Sequence, residues 1–307
     1  MEIVQPCPMT APIHGGFTGP DVHRLLQRAC AVAGLDATGA VLIRGQTNAV
    51  VRLTAHPVVV KIARHGTAPE KVRRTVTFVR WLMNMRFPTV PLYRPEIQPL
   101  VIDGYAVTLW VHLPQPEHPV PAQAIAKPLN VLHSLGEIPV ALERLDTCSA
   151  IRSSLSRTTT LPSSTLDLLH NRVNELELAL ATVDYAFADA ILQGDPQHRN
   201  ALHDGDRAVL CDWDSAVLGR PEWDLVTIEV HCRRFGYGPR HYARFAEAYG
   251  WDVTDWDGYP ILRDLRELRM ITTNARKSTH EPEKTAEVVR RVDGLLRGDS
   301  GQRWNIL

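Results

Sequence analysis

Asp195 and Asn200 stand five residues apart in the segment Gln193-Gly194-Asp195-Pro196-Gln197-His198-Arg199-Asn200, and Asp212 follows in Cys211-Asp212-Trp213-Asp214. These residue types in this order supply what transfer of a phosphoryl group from a nucleotide requires. A carboxylate, Asp195, directs and accepts the proton of an attacking hydroxyl. An amide oxygen, Asn200, and a second carboxylate, Asp212, hold Mg2+ against the phosphates, the amide without adding charge beside a triphosphate. Either segment alone reads as a turn with a loop cap. The two together, joined by Leu202 and Ala208-Val209-Leu210 as small strands, form a candidate metal–nucleotide site.

The elements that must position these residues can be read from periodicity. Apolar residues recur at helical spacing from Asp21 to Gly34, and three β-rich stretches follow at Ala40 to Arg44, Ala49 to Leu53 and Val58 to Ile62. They read as an antiparallel meander. A helix is expected from about Pro69 to Asn84, then two strands near Pro99 to Ile102 and Tyr105 to Val111, joined through the two-residue hairpin signal Asp103-Gly104. The segment from His112 to Pro121 holds four prolines in ten residues and marks the lobe boundary, giving a first lobe of residues 1–112 and a second of 113–307. Beyond it helices are expected near Ala122 to Leu135, Thr165 to Val183, Pro221 to Arg234, Pro239 to Tyr249, Asp257 to Ser278 and Pro282 to Leu296. The expected fold class is α+β: a five-stranded antiparallel sheet with helices, then a mostly helical lobe.

At 307 residues and 44% hydrophobic content the chain can fill two substantial cores. Lys plus Arg and Asp plus Glu both number 34, so charge gives no bias toward nucleic acid or an anionic membrane, and neither is expected as a partner. Cys7, Cys30, Cys148, Cys211 and Cys232 are scattered without metal-ligand or redox spacing, which fits reduced, mostly buried thiols. The start of the chain lacks a signal-peptide pattern, and no apolar run reaches the roughly 20 residues of a membrane helix. A cytoplasmic protein, monomeric or homodimeric, is the expectation.

These segments carry a resemblance. The chain looks like the aminoglycoside phosphotransferase family, whose two-lobed fold is similar to that of protein kinases, over roughly Ala40 to Ala275. Asp195, Asn200, Asp212, Trp213, Gly219, Asp224 and Leu225 match its pattern. The resemblance implies that Gly45-Gln46-Thr47-Asn48 is the nucleotide-covering loop, that Lys61 contacts the phosphates of ATP or GTP, and that Trp110 to Leu113, including His112, is the hinge meeting the base. It assigns Asp224 to stabilising the catalytic loop. Two positions depart from the pattern: Gln193 stands where the family often has histidine, keeping a donor and an acceptor. The helix after Lys61 has Thr75 or Thr77 where a glutamate partner is expected; Glu70, one turn earlier, would reach Lys61 only through a shifted helix, or the lysine lacks such a partner.

For the acceptor, Asp214, His198, Arg199, Asp264 and Glu267 are the candidate contacts; Asp214 reads first as a turn or cap residue, and His198 and Arg199 read equally as solvated loop side chains. From His231 to Leu307 there are 14 Lys/Arg against 11 Asp/Glu, no acidic excess for a polycation. Ten of the 20 aromatics fall between Trp213 and Tyr259, some of which would line an apolar or stacking pocket. The expected activity is thus an Mg2+-dependent O-phosphotransferase acting on a small-molecule hydroxyl, plausibly a nucleoside-, macrolide- or sugar-type antibiotic ahead of a polycationic aminoglycoside. Choline-like and amino-sugar acceptors remain open, as does a nucleotide-binding protein without transfer. A metal-dependent phosphate-ester hydrolase leaves Lys61 and the glycine loop unexplained.

Overall fold

The computed structural model describes residues 17–45, 48–136, 138–279 and 281–307. Gln46 and Thr47 of the expected nucleotide-covering loop lie outside them. In chain order the elements are α1 (Gly19–Ala33), β1 (Val41–Arg44), β2 (Ala49–Arg52), β3 (Val58–Ile62), α2 (Pro69–Asn84), β4 (Leu100–Ile102), β5 (Tyr105–Val111), α3 (Ala122–His133), α4 (Thr147–Leu155), α5 (Ser163–Leu180), β6 (Ala190–Leu192), β7 (Ala201–Asp204), β8 (Arg207–Leu210), β9 (Val217–Gly219), α6 (Glu222–Arg234), α7 (Pro239–Tyr249), α8 (Tyr259–Ser278) and α9 (Thr285–Leu296). They form two compact units. The first is Met1–Glu117, Glu137–Ala141 and Leu202–Asp214; the second is His118–Gly136, Leu142–Ala201 and Ser215–Leu307.

In the first unit the five strands form one antiparallel sheet in the order β1-β2-β3-β5-β4. Side chains alternate across a strand, so Val58, Val60 and Ile62 of β3 are fully buried while Lys61 projects to the opposite face. α1 starts in a capping box between Thr18 and Asp21 and stops at Gly34, whose φ of +65° suits the left-handed C-cap. Its buried residues Leu25, Leu26 and Ala29 share a core with β2 and β3. At the β4–β5 turn Asp103 and Gly104 both take positive φ, +50° and +81°, the type I′ geometry that Asp-Gly tolerates. Arg24 and Arg28 of α1 pair with the Asp103 carboxylate.

The β7–β8 hairpin belongs to the first unit from Leu202 onward, although a division at 112/113 puts it in the helical lobe. The reason is pairing: Val90 N donates to Leu210 O at 3.0 Å and Leu210 N donates to Pro88 O at 2.9 Å. The segment after it, which carries Asp212 and Asp214, is anchored by Trp213. That indole is buried between Phe78 and Phe87, with centroids 5.5 and 5.8 Å away, and its Nε1 donates to Thr89 Oγ1 at 2.8 Å.

The second unit is mostly helical. α4, α5, α8 and α9 contribute Ile151, Val173, Leu268 and Val288 to one core, together with Trp223 and Trp304. α4 was not expected from the sequence; it is a nine-residue helix capped by Asp146, whose side chain accepts from Ser149 N. β6 and β9 pair antiparallel and hold the segment that follows Leu192, which carries Asp195. Among the described residues no helix is long and apolar enough to cross a membrane. Cys30, Cys148 and Cys232 are buried free thiols and Cys211 is half-buried.

Candidate active site

In the first unit, β3 and the segment after β8 bring Lys61, Asp212 and Asp214 together. Lys61 Nζ donates to Asp212 Oδ1 at 2.7 Å and to Asp214 Oδ2 at 2.8 Å. Burial opposes the ammonium charge, but the Asp212 and Asp214 carboxylates outweigh it and raise the Lys61 pKa above its ordinary range. Glu70 is elsewhere: exposed on α2, it pairs with Arg73, so the glutamate expected from the resemblance is replaced here by two aspartates. Asp212 has φ +57°, a left-handed conformation uncommon outside glycine and found at sites where surrounding packing over-determines the backbone. Trp213 is the packing that does so. Asn48 donates from Nδ2 to Asp214 Oδ2 at 3.4 Å, and its Oδ1 accepts from Arg64 N at 3.2 Å, which fixes the end of the glycine loop.

Gly45, the first residue of that loop, is half-buried. Trp110 lies in β5 opposite Val59, its ring buried and its Nε1 donating to Thr108 Oγ1 at 2.9 Å. His112 N donates to Pro57 O at 2.8 Å, and burial followed by the Arg52 charge lowers its imidazole pKa.

In the second unit, the loop that carries Asp195 hangs on Asp224. This fully buried carboxylate accepts from Gln193 N at 2.8 Å and Gly194 N at 2.9 Å, and its Oδ2 lies 3.2 Å from His133 Nε2. Tyr249 OH, 2.8 Å from His133 Nδ1, completes the chain. Gly194 takes φ +83°, and a Cβ there would stand 2.2 Å from Ser215 O, so the residue before Asp195 must be glycine. Gln193 uses the acceptor end of its amide: its Oε1 accepts from Asp195 N at 2.7 Å, the loop bond that the resemblance left in question. Asn200 Nδ2 donates to Asp195 O at 2.8 Å, so Oδ1 is the atom Asn200 offers to a metal. Asp195 itself is partly exposed; Gln197 Nε2 donates to its Oδ2 at 2.9 Å and Arg266 Nη2 of α8 donates to its Oδ1.

Two candidate acceptor contacts are corrected. Glu267 is buried, its carboxylate held by Arg234 at 2.5 and 2.8 Å and by Arg233 at 2.8 Å, so it belongs to a core ion network. His198 is also buried, stacked on Tyr237 at 4.0 Å with its Nε2 3.0 Å from His241 Nε2. With Cys232 these two histidines bring ligand-type atoms within 4.8 Å of one another, but His241 Nε2 already accepts from Ala122 N at 3.0 Å. Asp264 is held by Arg172 and Arg263, both at 2.8 Å, whereas Arg199 is exposed. Arg266, Gln197 and His133 were not singled out from sequence: α8 reads as charged on several faces, and nothing in its periodicity says which cation meets Asp195.

Each unit offers oxygen atoms of the kind a hard divalent cation takes. In the first unit Asp212 and Asp214 present partly exposed carboxylate oxygens; in the second, Asn200 keeps a neutral amide oxygen.

A family model described as the phosphotransferase enzyme family matches residues 39–265, and the chain belongs to that family. No curated protein sequence matches the chain. Solved structures share its fold. A microcompartment-associated aminopropanol kinase superposes with a TM-score of 0.69 at 17% identity, covering 92% of this chain and 99% of its own. An amicoumacin kinase, solved in complex with AMP-PNP and Ca2+, gives 0.68 at 12% identity, covering 91% and 95%. Choline kinase LicA from Streptococcus pneumoniae gives 0.66 at 15% identity, covering 91% and 99%. The fold is therefore that of the kinase-like small-molecule phosphotransferases, as the sequence resemblance implies.

Proposed function

We propose that this chain is an Mg2+-dependent kinase that transfers the γ-phosphoryl group of ATP or GTP to a hydroxyl of a small molecule. The observation that carries the reading is the double contact of Lys61 with Asp212 and Asp214, a cation and two carboxylates concentrated beside the loop that ends at Asn48. Nucleotide and divalent cation in the amicoumacin kinase structure support the same use here. Bound Mg2+ would supply charge neutralisation and orientation of the phosphates, with Asp212, Asn200 and Asp214 as the residues that hold it. Lys61 neutralises phosphate charge; Gly45, Gln46, Thr47 and Asn48 cover the nucleotide, and Trp110 and His112 lie at the base. Asp195 orients the acceptor hydroxyl through Oδ2 and takes its proton as the bond to phosphorus forms. Asp224, through Gln193 and Gly194, holds the loop in the conformation that aims Asp195.

A screen of hydroxyl compounds with ATP and GTP separately, read by a mass gain of one phosphoryl group, tests the proposal. Near-normal turnover by Asp195→Ala contradicts the mechanism. Antibiotics of nucleoside, macrolide or sugar type belong in the screen beside choline and amino sugars. Metal-dependent nucleotide binding with no product across the panel favours the second reading, a kinase-like binding protein.

A further inference from the structure

Arg266, Arg269, Arg276 and Lys277 lie at i, i+3, i+10 and i+11 on α8, which places them within one sector of about 100° on the helix surface. This face meets Asp195. Arg266 donates to Asp195 Oδ1, and its buried Nε has no hydrogen-bond partner. Arg269 bonds only to neutral oxygens, at 2.8 Å to Thr273 Oγ1, 3.2 Å to Ser154 Oγ and 3.4 Å to Ala150 O. Lys277 is exposed, and Asp195 is near enough that its charge is felt by both Lys277 and Arg269. The other carboxylate felt by Lys277, Glu281, is paired with Lys284. Arg266, Arg269 and Lys277 thus share the charge of one carboxylate, Asp195, in a partly buried setting.

Such an arrangement is costly unless an anion joins it. Burial first, then the charges of Arg266, Arg276 and Arg157, lower the Arg269 pKa to about 10, with Asp195 alone acting in the opposite sense. Arg276, between them on this face, repels both Arg269 and Lys277. A phosphate or carboxylate seated on this face would accept charge-assisted hydrogen bonds from its cations and offset the repulsion that Arg269 and Lys277 each feel from Arg276. A cationic acceptor would meet repulsion there.

We infer that the α8 cluster of Arg266, Arg269 and Lys277 receives an anionic substituent of the acceptor, so that the substrate is a hydroxyl compound bearing a phosphate or a carboxylate. This rests on the kinase reading, with Asp195 oriented toward the hydroxyl. Arg269 and Lys277 then set specificity, and Arg266 positions Asp195.

The test uses the full chain with Mg2+ and ATP against a hydroxyl panel matched in four charge classes: polyols and sugars, their phosphate monoesters, their sugar acids, and their amines. Products are expected in the phosphate or sugar-acid class, and the two arms say which anion is recognised. Lys277→Gln and Arg269→Gln should each raise the acceptor KM about tenfold, leaving the KM for ATP unchanged. Products confined to the neutral or amine classes, or variants that move the KM for ATP instead, overturn the inference while leaving the kinase reading intact. Failure to bind Mg2+ and ATP overturns the kinase reading itself. If nucleotide binds but no panel member is converted, sulfate and inorganic phosphate are titrated by calorimetry: no saturable binding, or binding unchanged in both variants, overturns the anion site, and tenfold weakening in the variants supports it.

Discussion

Lys61 Nζ stands 2.7 Å from Oδ1 of Asp212, across 151 residues of sequence. The residue it meets has a left-handed backbone, and the adjacent Trp213 is locked between two phenylalanines. A lysine held this way is a fixed cation beside two carboxylates, and among the described residues no glutamate from α2 takes part. Lys61→Ala and Asp212→Ala should each lower kcat/KM by about 100-fold or more, the scale of losing one preorganised charged group. Glu70→Ala should change it less than about twofold, because Glu70 pairs with Arg73 at the surface. Steady-state kinetics of the three variants decide this; a Glu70 variant as crippled as Lys61→Ala would contradict the assignment.

Asp195 is held by Gln193 on its amide, Asn200 on its carbonyl, Gln197 on Oδ2 and Arg266 on Oδ1. Asp195→Asn should reduce kcat by about 10²–10⁴-fold, the range for a positioned proton acceptor, with little change in nucleotide affinity. Arg266→Lys keeps the charge but loses the planar fork, and should reduce kcat by about tenfold while leaving the KM for ATP alone. Titration of a nucleotide analogue alongside the kinetics separates these effects from misfolding.

The loop before Asp195 tolerates no side chain. Gly194→Ala would force a Cβ against the Ser215 carbonyl at positive φ, a cost of about 3 kcal/mol. Asp224→Ala would strand the Gln193 and Gly194 amides in a buried site, again about 3 kcal/mol or more. Both should shift urea unfolding midpoints downward and abolish turnover together. A variant of Asp224 with full stability would show that the loop is held by other means.

The strands of the first unit were legible because their signals are local: alternation in Val58 to Ile62 and the Asp103-Gly104 turn each depend on a few adjacent residues. α4 was not, since Thr147-Cys148-Ser149-Ala150-Ile151 offers few strongly apolar residues and its cap, Asp146, looks like any turn residue. The site was legible in part for the same reason. Asp195, Asn200 and Asp212 share one short stretch, whereas Asp214 meets Lys61 across 153 residues, which no spacing rule reports. His198 and Glu267 were misread because charge on a segment does not reveal which face tertiary packing will bury. Tyr237 covers one, and Arg233 and Arg234 close over the other.

Acid should weaken the fold earlier than its carboxylates alone would dictate. Burial, followed by the His241 charge, pushes the His198 imidazole down to about 4, and burial followed by Arg266 pushes His231 well below its ordinary range. Both are neutral bases in the folded chain, while in the unfolded chain they take protons near pH 6.5. As pH falls below about 6.5 the unfolded state therefore binds protons that the folded state refuses, and stability declines until His198 itself titrates near 4. The full His198 contribution is about 3 kcal/mol on this span. Asp252 and Glu287 are held below the ordinary carboxylate range, against burial, by Thr254 and by Arg290, so stability from them is present above that range and fails only at more acid pH. The interval from pH 6.5 to 5 thus isolates the histidines. Urea unfolding midpoints should fall steadily across it, and His198→Asn and His231→Gln should each flatten the slope. A wild-type midpoint that holds constant from pH 7 to 5 would show that neither imidazole is kept neutral by the fold.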